Sequence, residues 1–180
     1  MKKSWFGVGI IMLLIIMGCN NHDNKADKTE ETEQNELKPV TAYVTSMENH
    51  TVLVGDILYT VDGNTSIKTD QDEKQTLANL TLGTKVKITN TGQVAKSYPG
   101  QATAKQIIIL TDDTSVKEQR AAASALAKMD AKKNTIVIES IKHLKGDKAY
   151  EIKIHNLSAD KNQEQKSVLR IDENTYEIQT

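Results

Sequence analysis

The chain has 180 residues, with 23 basic against 24 acidic side chains, a single cysteine and only 4% aromatic residues. Near-balanced charge provides no global field to draw a polyanion such as nucleic acid, and one cysteine forms no internal disulfide. Few aromatic rings leave few platforms for stacking sugars or single-stranded bases.

Met1-Lys2-Lys3 makes a short positive flank, and the thirteen residues from Trp5 to Met17 are all apolar or glycine. A charged start and an apolar run too short for a comfortable membrane span is the plan of a secretory signal peptide. Ile16-Met17-Gly18-Cys19 ends that run with a small residue followed at once by cysteine, and it resembles the bacterial lipobox. The resemblance implies cleavage after Gly18, a diacylglycerol on the Cys19 thiol, and a protein lipid-anchored at the outer face of the cell membrane. Two or three acyl chains make such an attachment lasting, where one is marginal. Residues 20–38 carry six carboxylates, with Leu37 their only large apolar side chain. They bury too little surface to offset ordering entropy and are predicted to form a disordered tether behind Cys19.

From Pro39 to about Leu110 the pattern is β. Val40–Met47 and Thr51–Val54 are rich in β-branched residues, and Ile57–Val61 alternates before an Asp62-Gly63 turn. Leu77, Leu80 and Leu82 suggest one helical turn. Lys85–Thr89 sets Val86 and Ile88 against Lys85 and Lys87, and Ala102–Leu110 ends in an apolar Ile-Ile-Ile-Leu run. About five short strands suit a small closed OB-like barrel over 39–112, with a small β-sandwich as the other possibility. Over 113–180, Ser115 and Glu118 have capping-box spacing. Val116, Ala122, Ala125, Leu126 and Met129 recur at helical intervals, predicting a helix from Val116 to Met129 with a thin apolar face. Strands are expected at Thr135–Ile141, Ala149–His155, Ser167–Ile171 and Tyr176–Ile178. The fold class is therefore mainly β in two small modules: a barrel, then an α+β module of one helix on a three- to four-stranded antiparallel sheet.

The first module resembles the YobA-like lipoproteins of Gram-positive bacteria, a domain family of undefined function. The residues that carry the likeness are Ile57-Leu58-Tyr59-Thr60-Val61-Asp62, the Leu80–Ile88 stretch, and Ser97-Tyr98-Pro99-Gly100-Gln101-Ala102-Thr103-Ala104. Lys96 stands where that pattern has an acidic residue. The likeness implies an exported OB-like barrel without catalytic residues. The second module is similar to PepSY domains, exported helix-plus-sheet units thought to restrain or sense peptidases. It shares their order through Tyr150–Ile154 and Ile171–Ile178, but Tyr176 replaces the glycine of the closing Asp-x-x-Thr-Gly-Glu pattern. Losing a residue that tolerates positive φ is expected to alter that turn.

The four histidines, His22, His50, His143 and His155, show no metal-ligand spacing. His143 should pair near Tyr150 and His155 near Ile138, both facing solvent. Asp160 begins a calcium-loop-like string that lacks the required glycine. Ser158-Ala159-Asp160-Lys161 satisfies a serine-x-x-lysine string without its companion motifs. Neither an enzyme, a metal nor a cofactor is therefore expected. The sequence instead points to a non-enzymatic module that binds or modulates an extracytoplasmic or membrane protein. Lys96, Ser97, Tyr98, Pro99 and Gln101 are its candidate contacts. The alternative is an anionic small ligand or wall polymer held by a lysine face in which Lys85, Lys87 and Lys96 converge beside Tyr98.

Overall fold

β-Branched alternation and short turns organise the first half of the chain into strands that close on themselves. The computed structural model describes residues 38–159 and 165–179. The leader, Cys19 and most of the tether lie outside them, as do Asp160 and Lys161. Six strands form the first sheet: β1 (Val40–Glu48), β2 (Thr51–Val54), β3 (Ile57–Thr60), β4 (Ser66–Thr69), β5 (Lys85–Ala95) and β6 (Gly100–Ile109). Five of them, in the order β3-β2-β1-β5-β6, form a closed barrel, because the first half of β6 pairs in parallel with β3, Ile57 opposite Gly100. The second half of β6 pairs in parallel with β4. Closure removes the open edges that a flat sheet of this size would expose.

Inward alternation fills the barrel with Val44, Val52, Val54, Tyr59, Val86, Ile88 and Ile107, all buried. A 3-10 turn at Leu77–Asn79 matches the helical turn expected there. Two features went unread. β4 is only four residues long, and β5 runs six residues beyond Thr89 through register irregularities that break its alternation.

The second half holds α1 (Asp113–Lys128) and a sheet of β7 (Ile136–Leu144), β8 (Ala149–Asn156) and β9 (Lys166–Asp172), all antiparallel in that order. The helix begins three residues earlier than expected. Asp112, a stronger acceptor than a serine hydroxyl, is the N-cap and accepts from the Ser115 N–H. Those hydrogen bonds to Ser115 hold the Asp112 carboxyl below its usual range. Glu118 is thereby freed from the expected capping box. The fourth expected strand contracts to one bridge, Ile171 to Ile178. Tyr176 adopts the left-handed conformation, at φ 56°. The ring packs on the core beneath the Arg120 guanidinium at 5.8 Å, which offsets the steric cost of that conformation.

The two modules share one compact unit. Barrel residue Tyr43 belongs to the core formed by α1 and the three-stranded sheet, and Leu82 packs on both cores. The alanine face, Ala121, Ala122 and Ala125, lets the helix approach closely. Where barrel and helix meet, Gly83 has φ +91°, and a Cβ there would lie 2.7 Å from the Gln119 carbonyl oxygen and 2.9 Å from the Ala123 nitrogen. Glu118 reaches across the same seam, accepting from the Tyr43 hydroxyl at 2.8 Å and from Lys85 Nζ at 2.5 Å. Burial first, and then this carboxylate, push the Tyr43 phenol well above its ordinary pKa.

Gly83→Ala should lower stability by about 2 kcal/mol or more, because both the backbone conformation and the helix contact are violated. Thermal denaturation checks this. Within the barrel, the buried Tyr59 hydroxyl has no hydrogen-bond partner among the described residues. Tyr59→Phe should therefore keep stability or raise it by about 1 kcal/mol, since it removes only an unmatched polar group.

Candidate interaction surface

The turn between β5 and β6 is built from its own short-range hydrogen bonds. Ser97 N–H donates to the Ala95 carbonyl at 2.9 Å, and Ser97 Oγ donates to the Pro99 carbonyl at 2.8 Å. The Tyr98–Pro99 peptide bond is cis, and the Gly100 N–H donates to the Asp56 carbonyl at 2.8 Å. The loop thus presents Tyr98 outward, with 63% of the residue exposed. Lys96, Ser97 and Gln101 are exposed around it and Pro99 is half-buried.

Tyr98 does not stand free. Its hydroxyl lies 3.2 Å from Nδ1 of His155, and the two rings sit 6.2 Å apart. Strand alternation explains how β8 offers that imidazole: Ile152 and Ile154 point to the core, so Lys153 and His155 occupy the other face. An irregularity between Ile138 and Ser140 shifts the pairing, so His155 faces Val137 and not the expected Ile138. Glu139, at that irregularity, lies 3.8 Å from His155 Nδ1 and accepts from Lys166 Nζ at 2.7 Å. The Lys166 hydrogen bond is the main cause holding the Glu139 carboxyl below its usual range. A row of Tyr98, His155, Glu139 and Lys166 thus runs from the barrel turn onto the outer face of the second sheet. Val168 follows on β9. It and Tyr98 are the exposed large hydrophobic residues of the described chain.

The remaining candidates fall elsewhere. Lys85 and Lys87 share one face of β5, as alternation requires, but they stand at its start, whereas Lys96 follows its end eleven residues on. The expected convergence of all three beside Tyr98 is therefore corrected: β5 is a long strand and keeps them apart. Lys85 is also already paired with Glu118 in the seam. The two strand histidines are not simply solvated. His143 Nε2 lies 2.6 Å from Glu173 Oε2, and its ring stacks on Tyr150 at 4.8 Å. Ser158 Oγ accepts the Thr135 N–H at 2.8 Å, an ordinary structural role.

Glu139, His155, Lys166 and Val168 were not singled out from the sequence as a contact surface. Only the outward alternation of His155 was available, because the chain distance between Tyr98 and β8 carries no local signal. Lys166→Met should return the Glu139 carboxyl toward its ordinary value, read by NMR titration of its side chain. With the Glu139 value depressed in the folded protein, the pair's contribution to stability is present above the ordinary glutamate range. It is lost as pH falls through the folded value, and Lys166→Met should flatten that part of the acid profile.

A family model described as "Protein of unknown function (DUF3221)" matches residues 13–111, more than half of the chain. No curated protein matches the chain, and no solved structure matches it.

Proposed function

The chain belongs to the DUF3221 family, whose function is undefined, and from that starting point we propose a membrane-anchored extracytoplasmic lipoprotein that acts as a non-enzymatic protein-binding or modulatory module. The family match begins at residue 13, inside the apolar run and ahead of Cys19, in keeping with a leader and lipidation site as part of the unit. We read the barrel, with its parallel closure of β3 on β6, as OB-like and of the YobA-like kind, and the helix-plus-sheet half as PepSY-like.

The observation that carries the binding reading is Tyr98. A large amphipathic ring is held at the junction of two modules, tethered through its hydroxyl yet 63% exposed. Such a ring loses little freedom on contact, which is why tyrosines anchor protein interfaces. The lysine-face alternative, an anionic ligand or wall polymer, has less support, since Lys85 is paired with Glu118 and Lys96 stands at the far end of β5.

A photoreactive residue placed at Tyr98 in cells should crosslink to one protein, identified by mass spectrometry and lost when the probe is moved to Thr60. Recovery of wall polymer alone would transfer support to the ligand reading. Absence of any adduct would remove Tyr98 as a contact. Cys19→Ser should abolish incorporation of a palmitate analogue and release the protein from the membrane fraction.

A further inference from the structure

The second sheet ends at β9, and part of that edge is already in use. Ile178 bridges Ile171, the Asp172 N–H donates to the Glu177 carbonyl at 2.9 Å, and the Gln179 N–H donates to the Arg170 carbonyl at 2.9 Å. These bonds establish which backbone groups face away from β8. They belong to Arg170 and Asp172 and therefore, by the two-residue period of a strand, also to Lys166 and Val168. No described residue bonds to the outward backbone groups of Lys166 or Val168.

The same stretch carries an unusual set of side chains. Val168 is 55% exposed, with Lys166 and Arg170 exposed on either side of it. Lys153 lies opposite Val168 on β8 and has no ion-pair partner among the described residues. Lys166 pairs in register with His155, the residue touched by Tyr98, so the open edge is continuous with the Tyr98 surface. The carboxylates nearby are Glu139, on Lys166, Asp147, 3.7 Å from Arg170, and Glu151, opposite Arg170 in register on β8. Exposed pairs of this kind are weak and exchange readily for a better partner.

We propose that the edge at Lys166–Val168 receives an extended, acidic segment of a partner protein as an added strand, an inference that rests on the protein-binding reading above. Main-chain hydrogen bonds to Val168 and Lys166 supply the attachment, and alternate side chains supply the selectivity. An aliphatic residue covers Val168, while carboxylates meet Lys153 and Lys166. Charge decides against a second copy of this chain as the occupant. Two-fold pairing of this stretch would bring two sets of Lys153, Lys166 and Arg170 together, and like charges across paired strands destabilise. Lysine on an edge is itself a barrier to self-pairing. An acidic strand turns that barrier into an attraction.

The test uses the full chain in detergent micelles and a short fluorescent peptide of the repeat Glu-Thr-Val-Thr, which sets glutamate and valine in turn on one strand face, followed by anisotropy. Saturable binding is expected. It should weaken about tenfold or more when alternate peptide nitrogens are methylated, and by a similar factor with Lys153→Glu/Lys166→Glu. Unchanged near-ultraviolet tyrosine dichroism confirms that the variant is folded, and Val168→Pro, which removes one outward donor, provides an independent loss. Binding indifferent to methylation, or no saturable binding, overturns the edge as the attachment. The Tyr98 crosslink separates the two ideas. A protein captured there without strand addition leaves the binding reading standing and sinks only this one.

Discussion

The approach of a helix backbone to Gly83 is the constraint on which the rest of the molecule depends. A Cβ at this position would meet the Gln119 carbonyl and the Ala123 nitrogen inside van der Waals distance, so only glycine lets α1 lie this close to the barrel. The alanine face of α1, Ala121, Ala122 and Ala125, lies instead in the core shared with the three-stranded sheet. Once the helix is there, the remaining contacts follow at fixed places. Tyr43 enters the second core, and Glu118 meets both Tyr43 and Lys85. Taking Lys85 and Glu118 out of water is costly for each alone, and it is tolerable because each supplies the other's charge.

The same docking explains why the interaction surface belongs to neither module by itself. Tyr98 comes from the barrel, while His155, Glu139 and Lys166 come from the sheet beneath α1. Each contact in that row is exposed enough to contribute little to stability on its own. Their value is in orientation: the phenol is held at a defined angle without being covered.

The strands of the barrel were legible because period-two alternation and turn residues are local signals, as in Ile57–Thr60 and Lys85–Ile88. The helix was equally legible from its apolar spacing, although its cap was read at Ser115 when Asp112, three residues earlier, is the better acceptor. β4 escaped notice because four residues, Ser66–Thr69, gain their strand identity only from β6 alongside. Of the contact surface, the Tyr98 turn was visible and its partners were not. His155 reaches Tyr98 from 57 residues away in the chain, and the irregularity that admits Glu139 leaves no mark in composition. Tyr176 teaches a related lesson. The position is left-handed even with a tyrosine, at φ 56°, with Arg120 over the ring and the core beneath it.

The family match stops at residue 111, immediately before Asp112 caps the helix. The segment defined by kinship is therefore a barrel whose crease, with Tyr43, Leu82 and Gly83, is filled by a part that kinship does not define. In this chain the filler is α1, supplied by the residues that follow. A relative built from the barrel segment alone would inherit the socket without the plug. It would have to recruit a small-residue helix from another chain or rebuild Gly83 and its neighbours as ordinary surface. In this chain position 83 answers two demands at once, a backbone at φ +91° and a helix backbone seated against it.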